Sequence, residues 1–423
     1  MIRLVAVTAI VGGIALLATA VSALSTPDTP PLPAASATES ALHRDISAAQ
    51  DKLRRTPEDA VTWASLGTSY VEQARITGDP SYYAKAQGAL DTSSRHRPGN
   101  GWALLGLGAL ANARHDFAAA RDFGTRARAV LPDTAAVHGV LADALTQLGS
   151  VPEATAAVQR MLDLEPGVPS FTRAAYELEQ RGDVPGARAA LERALTAAAV
   201  PAEIVFCRYH LGELAFDNGE PDVAAEHYEQ GLLVDPQDVM LLQGKAKVAA
   251  ARGRPDHALD GYRELVARSP LPQLLHEYAN LLRQAGRGDE AARQFEVLDR
   301  QFELMKASGG ADDLAASVVA ADRGDAVSAL RLAEAEWGRR QHALVADALA
   351  WALHLNGRDA EALAFADRAA GSGWRNATFA FHRGTIMAGL GHPDAAAVLR
   401  QALEIQPYFA DASAARATLA GLR

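Results

Sequence analysis

Gly253-Arg254-Pro255-Asp256 is the stretch whose reading decides the fold. The glycine reads as the left-handed residue that ends one helix, and Pro255 with Asp256 reads as the opening of the next. Ala246 stands seven residues before Gly253 and Ala258 five after it. The same spacing recurs along the chain. The glycines are Gly149, Gly182, Gly219, Gly253, Gly286, Gly324, Gly357 and Gly391, separated by 33, 37, 34, 33, 38, 33 and 34 residues. Five residues after each comes an alanine (Ala154, Ala187, Ala224, Ala258, Ala291, Ala329, Ala362, Ala396). Seven before each comes a small residue (Ala142, Ala175, Gly212, Ala246, Ala279, Ser317, Ala350, Gly384). Self-similarity at such a period marks a stack of supersecondary units, each too small to bury its apolar face alone. The unit is a helical hairpin. The small residues let two backbones approach, and Leu145, Leu178, Leu282 and Leu353 fill the seam one turn further on. Pro98, Pro132, Pro166, Pro236, Pro270 and Pro407 close second helices.

The composition agrees with helices. Of 423 residues 49% are apolar but only 6% aromatic, and alanine and leucine outweigh the β-branched types that favour sheet. With 41 Lys+Arg against 51 Asp+Glu the net charge is −10, so no broad basic surface exists for nucleic acid. The one cysteine, Cys207, excludes an internal disulfide and multi-cysteine metal motifs.

The amino-terminal residues differ from the rest. After Met1-Ile2-Arg3 an uncharged, mostly apolar run extends from Leu4 to Leu24, about 31 Å long as a helix and near the bilayer core thickness. Residues 1–24 read as a secretory signal, with small residues for cleavage at Ala18-Thr19-Ala20 and Val21-Ser22-Ala23, or as an uncleaved membrane anchor through residues 4–24. Either reading sends the body outside the cytoplasm, to the periplasm or beyond, because Arg3 stays inside. Residues 25–40, with Pro27, Pro30, Pro31 and Pro33, read as a linker.

Trp63-x2-Leu66-Gly67-x2-Tyr70 resembles the opening motif of the tetratricopeptide repeat (TPR) family, exported or membrane-anchored bacterial-type members included. Leu104, Leu107, Gly108 and Ala111 followed by Ala120, Ala127 and Pro132 make a second copy; Leu211-Gly212, Ala224, Tyr228 and Pro236 make a third. The resemblance implies an all-α, right-handed superhelical solenoid of about ten TPR hairpins over residues 41–409. Repeats would start near Ala60, Gly101, Ala135, Val168, Val205, Val239, Pro272, Gly310, Ala343 and Ala377. Residues 410–423 would form a capping helix.

The motifs that spell chemistry have structural readings. Gly106-x-Gly108-x-x-Ala111 lacks the preceding strand that a dinucleotide turn needs. Arg181-Gly182-Asp183 and Arg323-Gly324-Asp325 coincide with hairpin glycines, and Arg287-Gly288-Asp289 lies just beyond one, which suits helix stop and N-cap. His276-Glu277-Tyr278-Ala279-Asn280 lacks the second histidine of a zinc-protease helix, and Cys207 lacks a partner base. No catalytic residue, cofactor or metal is expected.

In the resembling family, ligands lie against the concave face of the first helices. Carried over, that face offers Tyr176, Tyr209, Glu213, Phe216, Asp217, Lys247, His276, Asn280, Arg283, Asp347, Trp351 and His354, a mixture suited to a protein or peptide. The Lys/Asn clamp of chaperone-binding members is absent, since Leu105, Ala109 and Asn112 stand at its positions in the second repeat. The expected function is non-catalytic scaffolding. The alternative is a small-ligand or metal receptor using Asp347, His354 and nearby His342 or His382.

Overall fold

A computed structural model describes residues 37–422, and every regular element among them is a helix. The expected leader, residues 1–24, lies outside the described residues. No helix among those described is long and apolar enough to cross a membrane. Helix α1 (Ala37–Arg55) takes in the last four residues assigned to the linker and packs Ile46 and Leu53 against Leu66 of the first hairpin.

Ten hairpins follow. The first five are α2 (Ala60–Thr77) with α3 (Ser81–His96), α4 (Gly101–Ala113) with α5 (Phe117–Val130), and α6 (Ala135–Gln147) with α7 (Val151–Leu164), then α8 (Val168–Gln180) with α9 (Val184–Ala197) and α10 (Pro201–Asp217) with α11 (Pro221–Leu232). The next are α12 (Val239–Ala251) with α13 (Pro255–Arg268), α14 (Pro272–Gln284) with α15 (Gly288–Ala307), and α16 (Asp313–Asp322) with α17 (Ala326–Arg339). Last come α18 (Ala343–Leu355) with α19 (Asp359–Ala370) and α20 (Ala377–Gly389) with α21 (Ala395–Ile405). Helix α22 (Ala412–Gly421) closes the stack, with Ala412 and Ala415 buried against the apolar cluster of the tenth hairpin. The chain is an all-α superhelical repeat protein.

The hairpin chemistry is visible at each turn. All eight glycines of the repeat pattern have positive φ, between 68° and 84°. In the second hairpin the left-handed position is held instead by His115 (φ 62°). Asp183 and Asp325 cap the helices after them, accepting from Gly186 N at 2.9 Å and Ser328 N at 3.0 Å. Gly212 sits so close to Tyr228 that a Cβ would fall 2.7 Å from its Cδ1, which is why the small residue recurs. Gly108 likewise abuts Val140, so the Gly-x-Gly spelling is packing, inside α4. In the tenth hairpin the buried alanine is Ala395 rather than Ala396, one residue out of register.

The superhelix closes on itself, which no single repeat encodes. Each hairpin turn from the second to the fifth meets the link five hairpins further on. Met305 packs with Tyr83, Leu110 and Ala113, and the amide of Ala311 donates to the Arg114 carbonyl at 3.4 Å. Arg340 donates to the Gln147 side chain, and a Cβ on Gly149 would lie 2.8 Å from the Gln341 carbonyl oxygen. His342 meets Gln180 at 2.9 Å, and Trp374 donates to Glu179 at 3.4 Å. Gln406 donates to the Phe216 carbonyl.

Candidate functional site

Polar residues on the first helices form a ladder from hairpin to hairpin. Arg173 on α8 holds Asp143 on α6 in a two-pronged pair at 2.8 and 2.7 Å. Burial pushes the Asp143 carboxyl up despite the guanidinium beside it. Glu213 on α10 accepts from Lys247 on α12 at 2.6 Å and from the Tyr228 hydroxyl at 2.6 Å. Gln243 on α12 donates to Glu277 on α14 at 2.5 Å, and the Tyr262 hydroxyl donates to the same carboxylate at 2.7 Å. Each rung fixes the angle between neighbours, because a charge or amide taken from water needs its partner in place.

The next rung gathers three expected site residues on one residue, Asp322. His276 lies 2.7 Å from an Asp322 carboxylate oxygen, Asn280 donates to that oxygen at 2.8 Å, and Arg283 donates to the Asp322 carbonyl. Burial works to raise the Asp322 carboxyl, but the hydrogen bonds from His276 and Asn280 and the His276 charge hold it down at about 2. Asp322 was not among the expected residues; its position at the end of a degenerate first helix hid it. Arg283 remains exposed.

In the ninth and tenth hairpins Trp351 lies between two imidazoles. His382 stacks on it at 4.2 Å and 12°, and His354 at 4.9 Å and 28°. Asp347 holds His382 at 2.9 Å, while Asp359 holds His354 at 2.6 Å. His342 engages Gln180 instead. These histidines therefore serve separate partners, and no group of three His, Cys, Asp or Glu side chains among the described residues is arranged to hold a metal. The receptor alternative is not favoured.

Other expected residues are occupied by packing. Tyr209 is 7% exposed and Phe216 1%, both inside the core of the fifth and sixth hairpins, so neither presents a face to a ligand. Burial raises the Tyr209 hydroxyl well above its usual range. Tyr176 meets Trp374 edge-on at 5.9 Å where the superhelix closes. Asp217 ends α10, half-buried. Lys247 is only 4% exposed, and His276 1%. Cys207 is fully buried, its thiol pushed up to about 12 by that burial.

Residues 100–169 and 209–271 match the tetratricopeptide repeat family model. Those two stretches carry tetratricopeptide repeats. Outside those two stretches the repeats rest on the hairpin geometry above. The repeat body is similar to a thermophilic TPR protein of Thermus thermophilus, with 20% identity, a TM-score of 0.39, and coverage of 45% of this chain and 97% of that one. A tetratricopeptide repeat protein from Parabacteroides merdae has 18% identity and a TM-score of 0.36 over 60% of this chain and 97% of its own. The Cut9–Hcn1 hetero-tetramer of APC/C gives 14% identity and a TM-score of 0.45 over 91% and 85%. No curated protein matches the chain.

Proposed function

We propose that the chain is a non-catalytic scaffold that holds a protein or peptide partner against the inner face of its superhelix, outside the cytoplasm. The observation that carries this reading is the ladder of polar groups on the first helices, part of which still faces solvent. Arg283 is exposed, Asp322 and Glu213 keep 28% and 20% of their side chains open, and Trp351 is half-buried. Charged groups and an aromatic plate on the same set of first helices suit a polypeptide ligand. Repeat proteins use such extended faces because each unit adds surface without adding chemistry. Export rests on the sequence of residues 1–24.

The test is partner recovery with the exported body carrying a photo-crosslinker beside Arg283. Loss of the crosslinked partner on Arg283→Glu combined with Trp351→Ala, with the helical spectrum unchanged, supports the reading. Recovery unaffected by both contradicts it. Mass spectrometry of the native amino terminus decides between cleavage and anchoring, and finding the body in the cytoplasm overturns the location.

A further inference from the structure

A cleft of about 600 Å³ opens between the fifth and sixth hairpins, walled by α11, α12 and α13. That volume lies within the range of ordinary ligand sites. The sequence explains why it opens here. In most first helices the residue before the small position is apolar, as at Leu66, Leu107, Leu211 and Leu349, and it fills the seam to the preceding hairpin. In α12 this residue is Lys245. On the facing helix the position three beyond the buried alanine carries a side chain in every other hairpin, as His227 and Gln294 do; in α13 it is Gly261. A Cβ on Gly261 would meet only the Ala246 Cβ at 3.4 Å, so longer atoms would run into the cleft.

Charge separates this cleft from the rest of the molecule. Lys245, Arg252, Arg254 and Arg268 line it against Glu229 and Glu264, a cationic excess on a chain of net charge −10. Arg252 engages Asp222 and Arg268 engages Gln237. The other cation at the Lys245 position of a first helix, Arg383, is paired with Asp367 at 2.7 Å. Among the described residues no side chain pairs with Lys245 or Arg254. Lys245 and Arg254 are both exposed at the cleft, so their charges are open to an anionic partner.

We propose that this cleft is a second binding site, for an acidic peptide segment of a partner protein whose carboxylates pair with Lys245 and Arg254 and whose apolar side chain fills the space over Gly261. The site is separate from the inner ladder: Lys245 lies about 200° around α12 from Gln243. It does not rest on the function proposed above.

The probe is a fluorescein-labelled peptide of alternating glutamate and leucine, titrated onto the full repeat body, with glutamine–leucine and glutamate–serine versions as controls. The expected result is binding of the glutamate–leucine peptide, weakened about tenfold or more by either control. Lys245→Glu with Arg254→Glu removes it, and Gly261→Met removes it by filling the cleft. Both variants keep the wild-type helical spectrum and melting temperature, because the charges are exposed and methionine favours helix over glycine. Arg283→Glu on the inner face leaves it unchanged. No binding of the glutamate–leucine peptide, equal binding of a control, survival in both cleft variants, or binding displaced by inorganic phosphate without dependence on leucine overturns the proposal.

Discussion

The imidazole of His342 and the side-chain amide oxygen of Gln180 stand 2.9 Å apart, although 162 residues of chain separate them. The contact joins the turn of the fourth hairpin to the start of the ninth, and it shows how the solenoid is braced. Nearest-neighbour packing builds each arm; a second set of contacts, one superhelical turn away, ties the arms together.

The brace predicts unequal costs for equivalent glycines. Gly286 has φ +73° and open space around it, so Gly286→Ala costs about 1 kcal/mol from the left-handed backbone alone. Gly182 has φ +78°, and a Cβ there would overlap the Gly373 carbonyl. Gly182→Ala therefore costs about 1–3 kcal/mol more. Urea denaturation measures the difference, and small-angle scattering of Gly182→Ala should show an expanded particle.

The ladder predicts a contrast between ion pairs. Lys247 and Glu213 have side chains 3% and 20% exposed, so Lys247→Ala leaves a carboxylate without its cation and costs about 3–5 kcal/mol. Arg126 and Asp122 are 56% and 66% exposed, and Arg126→Ala costs well under about 1 kcal/mol. Equal losses in a denaturant titration would mean that the buried rung carries no structural weight.

Acid should loosen the fold before Asp322 titrates. Burial pushes His342 down to about 3, with Arg340 adding to it, and His210 down to about 4. Burial also lowers His115, against the pull of Asp312. These imidazoles are neutral in the fold, whereas the unfolded chain takes up protons below about pH 6.5. Their contribution is complete above about pH 6.5 and is lost as the pH falls toward 4 and 3, by up to about 1.4 kcal/mol per pH unit for each group. Asp322, held at about 2, adds its own loss only below about pH 4. Unfolding free energies measured between pH 7 and 4 should slope downward with falling pH, and His342→Asn should flatten the slope by about one proton.

The seam glycine makes a fourth prediction. Gly212→Ala drives a methyl group into the Tyr228 ring, which is 0% exposed and cannot swing away. The expected loss is about 1–3 kcal/mol. Adding Tyr228→Leu should recover part of it, a coupling that a double-mutant cycle reads directly.

Much of the fold was legible because each hairpin repeats the same local chemistry. A glycine that must be left-handed and a small residue where backbones touch are written into all but one of the copies, so the all-α stack could be read from Gly253 outward. His115 escaped the pattern because a histidine occupies the left-handed position there, and the Ala395 register because one residue shifts α21. The site was less legible. Tyr209 and Phe216 stand at family ligand positions, yet burial against α11 and α12 decides their role, and that depends on neighbouring side-chain sizes. Asp322 lay in a degenerate helix. The closure at Gln147, Gln180 and Phe216 depends on the pitch accumulated over five hairpins, which no local pattern records. Lys245 and Gly261 were present in the sequence, but only the opened seam gives their departures from the pattern a meaning.

The account turns on the two arms of the solenoid meeting. Arg181 and Arg375 are exposed residues flanking the Gly182–Gly373 contact, and the buried Cys207 will not compete for label. Spin labels at Arg181→Cys and Arg375→Cys should give a single short interlabel distance in solution. A broad distribution at long distance would contradict the closed superhelix.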